Sequence, residues 1–182
     1  MIPVERLIAE VELPQGVEVT LDHEVTIKGP KGTVKKELSY PNIHLKKDGN
    51  KVVLEPQNKF TKQQKRMINT FAAHLKNMVH GVQQGYEYQL KICFTHFPIT
   101  VSVEKDTVVI KNFLGEKVPR KARILPHVKV EVKGDVVVVT GIEKEVTGQT
   151  AANIELATRI TTLDRRVFQD GLWITEKPGR LL

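Results

Sequence analysis

The sequence contains a single cysteine, Cys93, so no disulfide can form within the chain. A protein without a disulfide framework is favoured in a reducing compartment, which points to the inside of a cell. Cys93 lies between the apolar residues Ile92 and Phe94. This setting predicts a small core residue rather than a reactive thiol.

Long apolar runs are also missing from the sequence. No stretch reaches the length of a transmembrane helix, and residues 1–9 carry Glu5 and Arg6 without an apolar segment. We therefore expect neither a membrane span nor a secretory leader. Aromatic residues make up only 5% of the chain. Stacking of bases on aromatic rings should therefore not dominate any binding of nucleic acid.

The sequence shows no catalytic or metal-binding constellation. None of the histidines has another histidine, a cysteine or a glutamate at a metal-ligand spacing. The histidines are His23, His44, His74, His80, His96 and His127. The segment Gly29–Gly32 combines glycines with a lysine, but it lacks the spacing of a phosphate-binding loop and predicts a hairpin turn. An enzyme that uses Cys93 or a histidine would therefore lack a partner residue.

The sequence does contain an internal repeat. The alternating segment Val17–Lys28 is answered about eighty residues later by Ile99–Lys111. The match continues as far as Gly85 and Gly171, and its offset drifts from 82 to 86 residues. A repeat of this length is a whole domain, since solenoid units have only about 20–50 residues.

Each copy predicts several strands followed by one helix. Alternation of apolar and polar residues, as in Val17–Leu21, indicates strands with one buried face. Short turns between these strands favour antiparallel pairing. The first helix is predicted over about Thr61–Val79 with a stop at Gly81, and the second over about Thr147–Asp164 with Thr147 as its N-cap.

The predicted fold class is α+β, with two tandem homologous domains at residues 1–84 and 85–182. Each domain should be a small, mainly antiparallel sheet with one helix packed on it. Ile68 and Ile154 should hold equivalent, core-facing positions in the two helices. Leu163 should extend the apolar face of the second helix.

The chain is basic, with a net charge of +7 that divides into +3 for residues 1–90 and +4 for residues 91–182. A basic balance suits an anionic partner such as nucleic acid. In the second half the cations cluster in a loop or strand edge, at the end of the predicted helix and in the tail. We predict that these clusters bind phosphate groups through Lys111, Lys117, Arg120, Lys121, Arg123, Arg165, Arg166, Lys177 and Arg180.

Some of these cations have an explanation that needs no ligand. Arg165 and Arg166 would complement the dipole of the second helix if they lie at its end. Basic residues in hairpins also protect exposed sheet edges from pairing with other chains. A further basic group surrounds the start of the first helix and consists of Lys59, Lys62, Lys65 and Arg66.

Three segments of the second copy resemble the signature of a ribosomal protein family. They are Val109–Lys117 followed by Pro119 and Arg120, then Thr147–Glu155, then Asp164–Gly171. On these motifs, and over essentially its whole length, the sequence resembles the universal large-subunit ribosomal protein six family in its archaeal and eukaryotic form. The tail Glu176–Leu182 differs from the glycine-rich basic tail of the bacterial branch, and the length favours the archaeal form.

The resemblance implies a structural constituent of the large ribosomal subunit, located in the cytoplasm and built from two sheet-plus-helix domains. It implies binding to large-subunit ribosomal RNA near the sarcin–ricin loop, beside the region that engages translational GTPases. It implies that the C-terminal domain makes most of the RNA contacts and that neighbouring ribosomal proteins are partners. It implies no catalysis, cofactor, metal or small-molecule substrate.

The alternative function is that of a protein–protein adaptor that docks its partners on exposed sheet edges. Such an adaptor would need no positive face and would ignore RNA. Binding to large-subunit RNA at two salt concentrations therefore separates the two functions, because contacts to phosphate weaken as salt rises.

Overall fold

The structure of the protein is a computed structural model that describes residues 9–22, 24–56 and 61–181. His23, Lys59 and residues 1–8, where a leader was considered, lie outside the described residues. The chain divides into two compact units, Met1–Gly85 and Tyr86–Leu182.

The first unit contains six strands and one long helix. The strands are β1 Ala9–Glu12, β2 Glu18–Leu21, β3 Val25–Gly29, β4 Gly32–Lys36, β5 Ile43–Asp48 and β6 Lys51–Pro56, and the helix is α1, Lys62–Gln83. The strands form two three-stranded sheets with the orders β2-β3-β4 and β1-β6-β5. Strand β1 was not predicted from the sequence.

Local sequence determines both ends of α1. The hydroxyl of Thr61 accepts a hydrogen bond from the backbone N–H of Gln64 at 3.2 Å, and the Gln64 side chain accepts one from the Thr61 N–H at 3.0 Å. This reciprocal pair is a capping box. The predicted stop at Gly81 is wrong, because the helix continues to Gln83. Gly85, with a φ of +74°, makes the turn out of the helix, since glycine adopts left-handed backbone without strain.

One face of α1 packs onto both sheets, and the turn between β3 and β4 packs at its C-terminal end. Ile68 and Leu75 are almost fully buried. A Cβ atom on Gly29 would lie 2.7 Å from the Val82 side chain, so only glycine fits there. The backbone N–H of Lys31 donates to the carbonyl of Val82 at 3.0 Å. The glycine–lysine segment is thus confirmed as a hairpin turn, and it caps a helix end.

The second unit repeats this plan and adds two strands. Its elements are β7 Tyr86–Cys93, β8 Thr100–Glu104, β9 Thr107–Lys111, β10 Arg120–Arg123, β11 Val128–Lys133, β12 Val136–Gly141, helix α2 Lys144–Ala157, β13 Gly171–Lys177 and β14 Arg180–Leu181. One sheet has the order β8-β9-β10, and the other has the order β11-β12-β7-β13-β14.

The two units share one topology. The order β2-β3-β4 corresponds to β8-β9-β10, and β1-β6-β5 corresponds to β7-β12-β11. The strand pairs of the described residues are antiparallel throughout. The α+β class with tandem homologous domains is therefore confirmed. Each unit holds two small sheets rather than the single predicted sheet, because alternation locates strands without stating which of them pair.

Helix α2 starts earlier and ends earlier than the predicted span Thr147–Asp164. Thr147 is not the N-cap but lies inside the helix, where its buried hydroxyl donates to the carbonyl four residues earlier at 2.6 Å. Ile154 is fully buried in the core, as predicted. Leu163 lies beyond the helix and is 43% exposed. Apolar spacing continues past the true end of the helix, so the spacing could not mark that end.

Close packing against β7 explains the small residues of α2. A Cβ atom on Gly148 would lie 2.8 Å from the hydroxyl oxygen of Tyr88. Thr150 and Ala151 on the same helix are fully buried. The signature segment Thr147–Glu155 therefore supplies much of the packing face by which α2 contacts strands of both sheets.

Candidate nucleic-acid interface

The predicted cations lie in four parts of the second unit. They flank a tight turn after β9, lie on the edge strand β10, occupy the loop between α2 and β13, and face each other across the β13–β14 hairpin. All of them except Arg120 are exposed.

The turn after β9 holds an exposed lysine at each of its ends. Asn112 and Gly115 adopt left-handed backbone with φ values of +60° and +77°, so the chain reverses within a few residues. Phe113, between them, is 1% exposed and anchors the turn in the core. Lys111 and Lys117 are both exposed on this anchored backbone. Glycine suits position 115 because it adopts left-handed backbone without the steric cost that most other side chains incur.

Arg120 is engaged by other groups of the protein. Its guanidinium donates to the two carboxylate oxygens of Glu116 at 2.6 and 2.8 Å and to the carbonyls of Ala157 and Arg159 at 3.0 and 3.2 Å. It also lies 4.3 Å from the centroid of the Phe113 ring, a cation–π contact. The hydrogen bond from Arg120 lowers the pKa of Glu116 even though desolvation opposes the shift. Arg120 therefore ties the turn after β9 to the end of α2.

Lys121 and Arg123 lie on the outward side of β10. Ala122, between them, is 3% exposed and belongs to the core, as strand alternation requires. Strand β10 is at the edge of its sheet and pairs only with β9 among the described strands. The two cations are exposed, where they can reach an anion and also hinder pairing of this edge with another chain.

Arg165 and Arg166 lie in the loop between α2 and β13 rather than at a helix end. The helix dipole acts within the last turn, and α2 ends at Ala157. The explanation of these arginines by that dipole is therefore wrong. Asp164 shapes the loop: its carboxylate accepts from the Arg166 N–H at 2.9 Å, and its carbonyl accepts from the Phe168 N–H at 2.9 Å.

A buried carboxylate holds the end of this loop against the segment that follows β7. Asp170 is 0% exposed and accepts hydrogen bonds from the backbone N–H groups of Thr95 at 3.0 Å and His96 at 3.3 Å. The Nδ1 atom of His96 lies 3.2 Å from the same carboxylate, and the His96 ring stacks on Phe168 with centroids 4.7 Å apart. Phe168 and Asp170 at the end of the loop are thereby held against Thr95 and His96.

Acid should loosen this contact. Burial raises the pKa of Asp170, but hydrogen bonds from Thr95 and His96 outweigh burial and bring the pKa below its usual value of 3.8. Because the folded-state pKa is lowered, the stabilisation is present above the unfolded-state pKa and is lost as pH falls through the folded-state pKa. We expect Asp170→Asn to lower the free energy of unfolding at pH 7 by about 1–2 kcal/mol and to weaken its dependence on pH below about 4.

Urea denaturation between pH 3 and pH 7 measures this effect. The exposed Glu104→Gln variant is the control, because it removes one carboxylate without removing a buried hydrogen-bond acceptor. An Asp170→Asn protein with the stability and pH profile of the parent would contradict the assignment.

Lys177 and Arg180 face each other across a two-residue turn. The register of the hairpin pairs them directly, and both are exposed. Pro178 and Gly179 form the turn, and the φ of +76° at Gly179 suits the second central position of a type II turn. Like charges placed directly opposite each other destabilise a strand pair. The direct pairing of these two cations therefore does not stabilise the hairpin.

The structure also reveals a cavity that the sequence did not indicate. It has a volume of about 770 Å³ and lies beside Arg165 and Arg166. Lys91 on β7 and Trp173 on β13 line it, and the register of these two strands pairs them directly. Because this pairing joins distant parts of the chain, no local pattern could have shown it.

Cys93 and Phe94 line the same cavity, so the prediction that Cys93 is a small core residue is wrong. Residues of β7 alternate between the core and the outer face, and Cys93 follows Lys91 on the outer face, where it is half-buried. Phe94 is 47% exposed. The apolar run was therefore misleading, because only Ile92 of these residues belongs to the core.

Within the ranges 9–22, 24–56 and 61–181, no group of three His, Cys, Asp or Glu residues is arranged to hold a metal ion. No helix in that part of the chain is long and apolar enough to cross a membrane.

Comparison with known proteins decides the family. The family model described as ribosomal protein L6 matches residues 13–85 and 97–171, one match in each unit. The chain belongs to the ribosomal protein L6 family. Members of this family are structural ribosomal proteins, so this L6-family chain is not an enzyme.

Archaeal relatives place the chain in the archaeal branch of the L6 family. It is 52% identical to the large ribosomal subunit protein uL6 of Methanobrevibacter smithii, with 92% of this chain and 94% of the relative covered. It is 53% identical to the uL6 protein of Methanocella arvoryzae, with 93% and 97% covered. It is 45% identical to the uL6 protein of Methanococcus vannielii, with 99% and 100% covered.

The three signature segments have distinct structural tasks in this L6-family protein. Val109–Lys117 forms the end of β9 and the tight turn that separates two exposed lysines. Thr147–Glu155 packs α2 onto the sheets. Asp164–Gly171 contains two aspartates: Asp164 shapes the arginine loop, which carries Arg165 and Arg166, and Asp170 holds this loop to the segment after β7. The first and third segments therefore build the backbone that carries predicted site residues.

Proposed function

We propose that this protein is a structural constituent of the large ribosomal subunit that binds large-subunit ribosomal RNA through its C-terminal domain, residues 85–182. The observation that carries the proposal is the placement of like charges side by side on firmly held backbone. Arg165 and Arg166 are adjacent in one loop, and Lys177 and Arg180 are directly paired in one hairpin.

Phosphate is the ligand that these cations suit best. Lysine and arginine side chains that neutralise phosphates release the counterions condensed on the nucleic acid, which favours binding. Folded RNA is recognised largely by its shape and its backbone, so cations on several rigid elements can clamp it without reading bases. The proposed contacts are Lys111, Lys117, Lys121, Arg123, Arg165, Arg166, Lys177 and Arg180. Arg120, predicted with them, serves mainly to hold the turn after β9 in place.

The proposal also includes the position of the protein within the ribosome. The relatives bear the name of a protein of the large ribosomal subunit, which supports a location in that subunit and hence in the cytoplasm. The resemblance to the family supports a site near the sarcin–ricin loop, beside the region that engages translational GTPases. Neighbouring ribosomal proteins would then contact the remaining surface, including that of the N-terminal domain, residues 1–84.

Filter binding to folded RNA fragments tests the proposal. We expect the protein to bind a large-subunit RNA fragment that contains the sarcin–ricin loop, with an affinity that falls steeply as salt is raised. A large-subunit fragment without that loop and a duplex DNA of equal length are the controls, and both should bind more weakly.

The outcomes separate the parts of the proposal. Absent or salt-insensitive binding would contradict the RNA-binding function and favour the protein–protein adaptor. Salt-dependent binding that is equal for all fragments would retain the RNA-binding function and contradict the site near the sarcin–ricin loop.

A further inference from the structure

The cavity beside the arginine loop combines aromatic rings with cations. Its lining includes three rings, Phe94, Phe168 and Trp173. Among the described residues around it are the cations Lys91, Arg165 and Arg166 and the single carboxylate Asp135. The volume of about 770 Å³ falls in the range of sites that hold small ligands.

Two of the three rings, Trp173 and Phe168, are held in place before any ligand arrives. The indole N–H of Trp173 donates to the carbonyl of Gln169 at 3.1 Å. Phe168 is stacked on His96, whose ring and backbone are bound to the buried carboxylate of Asp170. The two walls of the cavity are thus joined by hydrogen bonds, so a ligand need not order them on binding.

We propose that this cavity receives one unpaired nucleotide of RNA, with its base against the exposed ring of Phe94 and the indole of Trp173 and its phosphate against Arg165 and Arg166. The inference rests on the proposed RNA-binding function and names the part of the RNA that this site takes. Unpaired bases of RNA are commonly stacked on aromatic side chains, whereas paired bases within a helix are not accessible in this way.

Charge favours a nucleotide over an apolar side chain of a neighbouring protein. An apolar side chain would fill the space between the rings but would leave three cations around it with only one carboxylate, that of Asp135. A nucleotide supplies a flat base for the rings and a phosphate for the arginines. The carboxylate of Asp135 adds an acceptor that suits the amino group of adenine, cytosine or guanine.

Two residues of the cavity are natural reporters of its occupancy. Trp173 is the only tryptophan of the chain and Cys93 is its only cysteine. Both line the cavity. Stacking of a base on Trp173 would quench its fluorescence, and a bound nucleotide would slow alkylation of Cys93 by a maleimide. No engineered label is needed.

The probe is a single-stranded decamer of adenylate, and its matched control is an abasic decamer with the same phosphates and no bases. We expect the adenylate decamer to quench Trp173 and to protect Cys93 in proportion to the fraction bound. The abasic decamer should do neither, although it carries the same charge. The folded ribosomal RNA fragment is measured in parallel with the same two reporters.

A pair of phenylalanine variants isolates the contribution of stacking. Phe94 and Phe97 are each 47% exposed, but only Phe94 is among the residues that line the cavity. We expect Phe94→Ala to weaken binding of the adenylate decamer roughly 5- to 150-fold and Phe97→Ala to change it little. Circular dichroism checks that both variants are folded. Quenching of Trp173 in the unmutated protein tests the same site without any substitution.

The results distinguish this inference from the function on which it rests. Suppose that the ribosomal RNA fragment binds, but neither this fragment nor the adenylate decamer quenches Trp173 or protects Cys93. The nucleotide site is then refuted and the RNA-binding function remains. An abasic decamer that quenches and protects as well as the adenylate decamer would also refute it. If the ribosomal RNA fragment does not bind at all, the proposed function itself fails. If no RNA quenches Trp173 or protects Cys93, the remaining candidate for the cavity is an apolar side chain of a protein partner.

Discussion

Replacing Arg165 and Arg166 together with alanine is expected to weaken binding of the sarcin–ricin-loop fragment by roughly 10- to 100-fold at about 0.15 M salt. The logarithmic slope of affinity against salt should become shallower by about 2, since each lost phosphate contact removes about one unit. The free energy of unfolding should stay nearly unchanged, because both side chains are exposed and lie beyond the end of α2. Filter binding across a salt series and urea denaturation measure the two effects.

The matched control removes two positive charges from another part of the second unit. Lys129 and Lys133 are exposed and both form ion pairs with Glu131 on β11. We expect their double alanine variant to retain most of the affinity and the salt slope of the parent. Equal losses in the two double variants would mean that only net charge matters. A drop in stability without a drop in affinity would show that the arginines are structural.

Arg120→Ala is expected to lower the free energy of unfolding of the second unit by about 3 kcal/mol, since it removes charge-assisted hydrogen bonds and a cation–π contact. The hydrogen bonds to Glu116 and to the carbonyls of Ala157 and Arg159 are lost together. The carboxylate, whose pKa Arg120 lowers, then loses its partner. Trp173 lies in this unit, so its fluorescence during urea denaturation reports the change.

Two further variants test the geometry of Arg120. Arg120→Lys should recover little of the lost stability, because an ammonium group cannot donate in the planar fork that reaches both Glu116 and the end of α2. Lys121→Ala, at the exposed neighbouring position, should leave stability almost unchanged. A stable Arg120→Ala protein with strongly reduced RNA affinity would contradict the structural role and return Arg120 to the RNA contacts.

Much of the fold could be predicted from the sequence because its signals are local. Alternation located most strands of both units, and the apolar period of α1 located that helix and its approximate beginning near Thr61. Helix ends were predicted less well. Gly81 was predicted to end α1 but lies inside it. Leu163 continued the apolar spacing of α2, although that helix ends at Ala157. Local patterns are weak evidence when a helix end is decided by what packs against it.

Part of the candidate site could be predicted from the sequence, and part of it could not. Clusters of cations were visible in the sequence because residues such as Arg165 and Arg166 are neighbours along the chain. The internal role of Arg120 was not visible, because its partners lie up to 39 residues away along the chain. The cavity was missed for the same reason: Lys91 and Trp173 meet only through the pairing of β7 with β13.

The sequence by itself therefore determined the duplication, the α+β class, the membership of a ribosomal protein family and the basic character of the second unit. These follow from periodicity, composition and motifs, which are properties of neighbouring residues. Tertiary structure decided which cations remain exposed, which one holds a turn through internal hydrogen bonds, and where aromatic rings and arginines line an open cavity. Those properties depend on the register of strands and the burial of side chains, which bring distant residues together and which no local pattern encodes.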